Sequence, residues 1–220
     1  MASAQPVFTD IAWTDLGFLA EATLRTLAIA AAATGTGTVA GVAVGCVLAT
    51  IPALVAKAVA ALLDVFRSVP LIIQLVLFDS FVSIFGLPLS AFTSGTIVLS
   101  AYCCALVAFL TKAGIDSIPA PLRRAARSLG MSSTQEFIHV AWPIGLRAMF
   151  PSWLGIALSL LKDSSLVSVL GYVELIRASR MLITRTQEPF LILTVVGLIF
   201  FLISYPVARL GARLERRWQS

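Results

Sequence analysis

The chain has 220 residues, of which 59% are hydrophobic and 12% charged, with a formal net charge of +5. A soluble domain carries roughly 25% charged residues; no compact soluble core of this length could hide so much apolar surface, so the composition excludes an ordinary soluble domain and makes the bilayer the natural solvent. The positive excess fits the cytoplasmic face of a membrane protein and calls for no nucleic-acid partner.

The first twenty residues lack a basic stretch and carry Asp10 and Asp15. Residues 1–20 therefore read as an external N-terminal segment and not as a cleaved signal peptide. Beyond them, gaps in charge locate the membrane crossings, since a helix rises 1.5 Å per residue and about 20 residues cross the hydrocarbon core. No charged residue lies between Arg25 and Lys57, which predicts a first span at 26–48. Within it Ala33, Gly37, Gly41 and Gly45 fall on one helical ridge, where another helix can approach closely. That neighbour is either a second subunit or another span of the same chain. Residues 52–66 have a helical pattern, and form either a short interfacial helix or an extension of a second span at 67–84. Gly86-Leu87-Pro88 marks a turn, and the uncharged stretch up to Lys112 predicts a third span at 93–112. The fourth span, 148–170, contains Lys162 and Asp163. The fifth, 189–208, lies between Glu188 and Arg209 and leads to a basic tail at 213–220. The expected architecture is an all-α polytopic membrane domain over 21–212 with five spans. Cys46, Cys103 and Cys104 sit in apolar stretches without metal or redox spacing, and read as packing residues.

Positive charge orients the spans. Lys112, Arg123, Arg124, Arg127 and Arg147 flank the loop between spans three and four; Lys57 and Arg67 precede span two; Arg209, Arg213, Arg216 and Arg217 follow span five. With five spans these regions share one side. The 113–147 loop and the C-terminus are therefore expected in the cytoplasm and the N-terminus outside. Arg177, Arg180 and Arg185 in the opposing loop weaken this bias without reversing it.

The 113–147 loop has internal design. Pro119 and Pro121 punctuate the exit from span three, and Leu122–Leu129 is helical in composition and ends at Gly130, a helix-terminating residue. Ser133 stands three residues before Glu136, the spacing of a capping box that starts a second helix, and Pro143 is expected to stop that helix before span four. A helix–glycine–helix device of this kind serves either to dock another protein or as a solvated amphipathic connector.

Ionisable groups inside a span cost roughly 2.5–3.5 kcal/mol each on insertion scales, so they face a cavity or a partner. Lys162 and Asp163 point about 100° apart on a helix and are not each other's obvious partner. They line the passage or its gate, or they pair structurally near the outer end of span four. Gln74, Asp79 and Ser164 are further passage candidates. Tyr102 reads as packing and His139 as a polar surface residue. No carboxylate pair, nucleophile constellation or metal spacing marks a catalytic or metal site.

The loop resembles the EAA loop of permease subunits of ATP-binding-cassette importers. That family pattern is Glu-Ala-Ala, three residues, Gly, nine residues, a branched apolar residue, one residue, Leu-Pro. Here Arg124-Ala125-Ala126, Gly130, Val140 and Trp142-Pro143 keep every spacing. Arg67-Ser68-Val69-Pro70-Leu71-Ile72-Ile73-Gln74, Gly114-Ile115-Asp116-Ser117-Ile118-Pro119, Leu161-Lys162-Asp163-Ser164-Ser165-Leu166-Val167-Ser168 and Leu214-Glu215-Arg216-Arg217 are similar to blocks of the polar amino-acid (histidine, glutamine, arginine and opine) permease branch. The resemblance covers about residues 20–218. It implies the type I importer fold in a bacterial inner membrane, with a coupling loop whose contact residues are Arg124, Ala125, Ala126, Gly130, Val140 and Pro143. It also implies partners: a dimer of ATPase subunits, a second permease subunit in a homo- or heterodimer, and an extracytoplasmic binding protein. The chain has no Gly-x-x-x-x-Gly-Lys-Ser/Thr phosphate loop, so ATP and Mg are expected on the partner ATPase and no cofactor on this chain. Arg124 replaces the family glutamate, Trp142 the leucine, and Phe109 a glutamate of span three. An ion-coupled secondary transporter or another small membrane transport subunit is the alternative reading. The former usually has more spans and inverted repeats, and no repeat is visible here. The carried species, a polar amino acid, an opine or another derivative, is left to the binding protein.

Overall fold

The computed structural model describes residues 12–219, and among them every regular element is a helix. Helix α1 spans Trp13–Thr50 and packs along α4, Ala91–Asp116. The glycine ridge makes that seam. A Cβ added at Gly37 would lie 2.5 Å from Cβ of Cys103, one at Gly41 2.7 Å from Cβ of Val107, and one at Gly45 2.5 Å from Cβ of Thr111. Between the two readings open for the ridge, the structure supplies packing within the chain. Ile29, Ala33, Leu99, Cys103 and Val107 fill the seam, joined by Leu160 and Val167, and Thr36 Oγ1 and Ser100 Oγ stand 2.7 Å apart across it.

The helices at the second expected span are sharply bent. Helices α2, Ala53–Ser68, and α3, Leu71–Ile84, meet at 98°. Pro70 donates no backbone hydrogen bond and drives the residue before it out of the helical region; Val69 is extended, with φ −84° and ψ 130°. The Gln74 amide bridges the break, donating from Nε2 to the carbonyls of Phe66 (2.7 Å) and Val69 (2.8 Å). Residues 53–66 thus belong to a helix with its own axis. The stretch expected as a span at 67–84 holds the end of α2, the Pro70 break and α3, whose limb is about 21 Å long.

From Ser133 to Leu170 the chain is one continuous helical run. It comprises α6, Ser133–Glu136, a π-helical turn at Phe137–Ala141, α7, Trp142–Asp163, and a 3₁₀ segment at Ser164–Leu170. Pro143 therefore does not stop the second loop helix, contrary to expectation. The Trp142 N–H bonds back to the Phe137 carbonyl, one residue further than in an α-helix. This wider turn brings the chain to Pro143 at the start of α7, where its missing N–H and its ring are tolerated. α7 crosses α4 where Gly114 faces Gly145; a Cβ at Gly114 would come within 2.9 Å of the Gly145 carbonyl. Trp153 Nε1 donates to Thr38 Oγ1 at 2.9 Å, tying α7 to α1.

Helix α8, Leu175–Thr186, occupies what the sequence presented only as an arginine-bearing loop. Glu174 starts it by accepting hydrogen bonds from the N–H groups of Ile176 (2.8 Å) and Arg177 (2.7 Å). Its Leu175, Ala178 and Leu182 pack with Leu19 and Ala22 of α1 and with Ile192 and Val196 of α9, Pro189–Gln219. Arg185 pairs with the buried Asp15. Residues 13–20 of the segment expected to be external form the first turns of α1; residues 1–11 of that segment lie outside the described residues. Among the described residues four helical runs are long and apolar enough to cross a membrane, and the count reaches the expected five where the bent pair is one broken span.

Candidate functional site

The turn that follows the fourth helix is set by backbone chemistry. Prolines open α5, Ala120–Ser128, where a missing N–H costs no hydrogen bond. It closes on Gly130, whose φ is 87°. The Gly130 N–H reaches the Arg127 carbonyl at 3.0 Å and the Met131 N–H reaches the Ala126 carbonyl at 3.3 Å, the two bonds of a Schellman motif. A Cβ at Gly130 would meet nothing within 4 Å, so the backbone conformation, not crowding within the chain, demands glycine here. The capping box lies one residue earlier than expected: Ser132 Oγ accepts from the Gln135 N–H at 3.2 Å, and Gln135 Oε1 accepts from the Ser132 N–H at 2.9 Å.

That shift frees Glu136, which the sequence had assigned to the cap. Its side chain is only 1% exposed, and its carboxylate takes Arg123 Nε at 2.7 Å and Nη2 at 3.2 Å, with Arg127 at 3.5 Å. The hydrogen bond to this carboxylate raises the Arg123 pKa further above its ordinary value. Arg123 and Arg127 share a helical face at four-residue spacing. Arg124, between them in sequence, is exposed together with Ala125 and Gly130, whereas Ala126 is buried and Val140 and Pro143 are half-buried. His139 is exposed in the π-turn.

Within the helical bundle Asp163 lines a cavity of about 300 Å³ with Tyr102, Ser152 and Ser159. Ser152, Ile156, Ser159 and Asp163 repeat at four, three and four residues, so they share one face of α7; that period was the sequence signal that could have found the serines. The hydroxyls and the carboxylate offer hydrogen-bond acceptors and one negative charge to an occupant. Lys162 is exposed beside the cavity, as the 100° separation predicts. Ser164 is buried with its hydroxyl donated to the Leu161 carbonyl at 2.7 Å, which suits a joint between α7 and the 3₁₀ segment better than a passage wall. Gln74 holds the Pro70 break, and borders a separate, largely apolar cavity of about 460 Å³ with Phe66, Leu77 and Val98. Asp79 is half-buried on α3. The passage candidates are therefore not brought together. Phe109, where the resembled family carries a glutamate, receives the Arg67 guanidinium 4.6 Å from its ring centre, a cation–π contact.

Residues 37–220 match the family described as binding-protein-dependent transport system inner membrane component. The glutamate transport system permease protein GluD of Corynebacterium glutamicum is 29% identical over 161 residues, covering 72% of this chain and 59% of that protein. The probable glutamine ABC transporter permease protein GlnP of Bacillus subtilis is 29% identical over 174 residues, covering 77% and 78%. The histidine/lysine/arginine/ornithine transport system permease protein HisM of Salmonella typhimurium is 27% identical over 169 residues, covering 70% of each. A crystal structure of an amino acid ABC transporter with histidines superposes with a TM-score of 0.84 at 24% identity, over 95% of this chain and 100% of that chain. An inward-facing form of the MetNI methionine ABC transporter does so at 0.81 and 20% identity, over 94% and 99%. The fold is that of type I ABC importer permeases, and the chain belongs to the binding-protein-dependent transport system inner membrane components, as a multi-pass protein of the inner membrane.

Proposed function

We propose that this chain is the membrane-spanning permease subunit of an ATP-driven importer of amino acids or their derivatives. The family match together with the 120–143 turn carries the reading: a glycine turn is fixed by a Schellman closure, yet its outer side is left open by this chain. Relatives named for glutamate, glutamine and basic amino acids support the substrate class. In this reading a separate ATPase dimer binds ATP and Mg, and receives the turn through Arg124, Ala125, Ala126, Gly130, Val140 and Pro143. A second permease subunit completes the path, and a binding protein delivers substrate from outside. The N-terminus lies outside; the turn and the basic tail lie in the cytoplasm. Spans near 26–48, 93–112, 148–170 and 189–208, with the bent pair α2–α3, form the membrane domain.

The Asp163 cavity is the substrate's resting place along the path. Its carboxylate lies within an expected span, among hydroxyls and apolar side chains, where a charge needs a counter-charge. The ammonium group common to amino acids meets that need, while the Ser152 and Ser159 hydroxyls orient the rest. Affinity purification of the tagged chain should retain an ATPase encoded beside it. Reporters fused after Ser220 and within 123–130 should both read as cytoplasmic. External signals from both, with no ATPase retained, would overturn the reading.

A further inference from the structure

We propose that the Glu136 carboxylate, clasped by Arg123 and Arg127, is the joint that makes the docking turn and the cavity-bearing helix move as one body; this rests on the function proposed above.

Helix α5 is nine residues long, too short to persist on its own in water. Among its residues only Ala126 is buried, so apolar packing holds it weakly. It lies against α6 and the π-turn, and the polar tie to them is Glu136, 1% exposed, with Arg123 Nε at 2.7 Å and Arg127 at 3.5 Å. A buried carboxylate is kept only by its partners, and losing either side leaves an uncompensated charge. The tie is therefore firm in the direction that matters: α5 does not swing away from Glu136 without exposing or orphaning it.

Glu136 also has a mechanical position. It ends α6, within the first turn of the helical run from Ser133 to Leu170, on which Ser152, Ser159 and Asp163 line the cavity. From Glu136 to Asp163 along that run is about 40 Å. On its other side the clasp borders a cavity of about 450 Å³ shared with Ala49 and Thr50 at the end of α1. The turn thus has open space toward α1 and an ionic tie toward α7. A displacement imposed on Gly130 and its neighbours passes through the clasp into α7. Arg124, exposed between the two clasping arginines, stays available for the partner surface.

The test uses the full complex in proteoliposomes, with Cys46, Cys103 and Cys104 replaced by serine and Ser159→Cys placed in the cavity wall. The probe is a methanethiosulfonate ethylammonium reagent, and the readout is its labelling rate at position 159 with and without ATP. With Glu136 present, ATP should change that rate about fivefold or more, the lower end of coupling between distant sites. With Glu136→Ala the ATPase should remain bound while the ATP effect disappears, and Glu136→Asp should restore part of it. If Glu136→Ala fails to insert, Arg123→Ala removes one arm of the clasp at a partly exposed position, and should reduce the effect in the same direction. A smaller amount of complex with an undiminished ATP effect would mark Glu136 as a purely structural residue and overturn the proposal. A clasp-intact complex that binds the ATPase but shows no ATP effect at position 159 would overturn it as well. Failure of that complex to bind any ATPase would overturn the functional reading and the proposal together.

Discussion

Glycines serve two regions of this molecule for different physical reasons. Along the α1–α4 seam, Gly37, Gly41 and Gly45 are needed for space: any side chain would be driven into the neighbouring helix, at 2.5–2.8 Å from its Cβ and carbonyl atoms. At the end of α5, Gly130 is needed for its backbone, with φ 87° and no atom within 4 Å of where a Cβ would stand. The seam is complete within the chain. The turn is fully specified in conformation yet leaves its outer face open. A surface that is preorganised but uncovered is what a partner requires, because the ordering cost has been met before it arrives.

That contrast can be pressed by substitution. Gly41→Val should have the largest effect. Its side chain would meet the Val107 Cβ and the Cys104 carbonyl, neither the end of a flexible group, and overpacking of this kind costs about 3 kcal/mol or more. The subunit should be largely lost from the membrane fraction, and what survives should melt earlier in detergent. Asp163→Asn tests the cavity, which is neither closed like the seam nor open like the turn. Losing a charged hydrogen bond of about 1.5–3 kcal/mol should raise the substrate concentration for half-maximal uptake about tenfold or more, with ATPase retention unchanged. Gln74→Ala removes both bonds across the Pro70 break, about 2 kcal/mol in all, and should lower the melting temperature by several degrees without altering the cavity. Arg124→Ala should matter least: an exposed ion pair to the ATPase is worth about 1 kcal/mol or less, measurable as a modest loss in ATPase retention.

Much of this was legible in the sequence, and the remainder failed for identifiable reasons. Charge gaps marked long apolar stretches that the structure makes helical, because a bilayer forbids unpaired charge over some twenty residues. Composition and Gly130 gave the end of α5, since glycine has few rivals at positive φ. Pro70 and Pro143 look alike in sequence but act differently. One breaks the chain at 98° with Gln74 bridging the gap; the other is absorbed by a π-turn. Local sequence does not distinguish these outcomes, because they depend on what can satisfy the freed carbonyls. Glu136 was assigned to a capping box, as its spacing from Ser133 allowed. Its arginine partners lie nine and thirteen residues away, beyond any single-helix period. Helix α8 was missed because its apolar face became meaningful only against α1 and α9. Asp163 stood out by its charge, whereas Ser152 and Ser159 beside it did not, since the polar face of α7 is diluted by leucines.

The central claim is that the 120–143 turn hands the work of a separate ATPase to the spans. Substrate-stimulated ATP turnover and transport by a complex carrying Gly130→Asp, set beside Gly130→Asn, measures it most directly. Both residues tolerate left-handed backbone to a similar degree, so the difference between them reports the charge placed at the docking face. The account predicts that both subunits reach the membrane, that the Asn complex keeps part of its activity, and that the Asp complex transports nothing. Wild-type turnover and transport by the Gly130→Asp complex would contradict it.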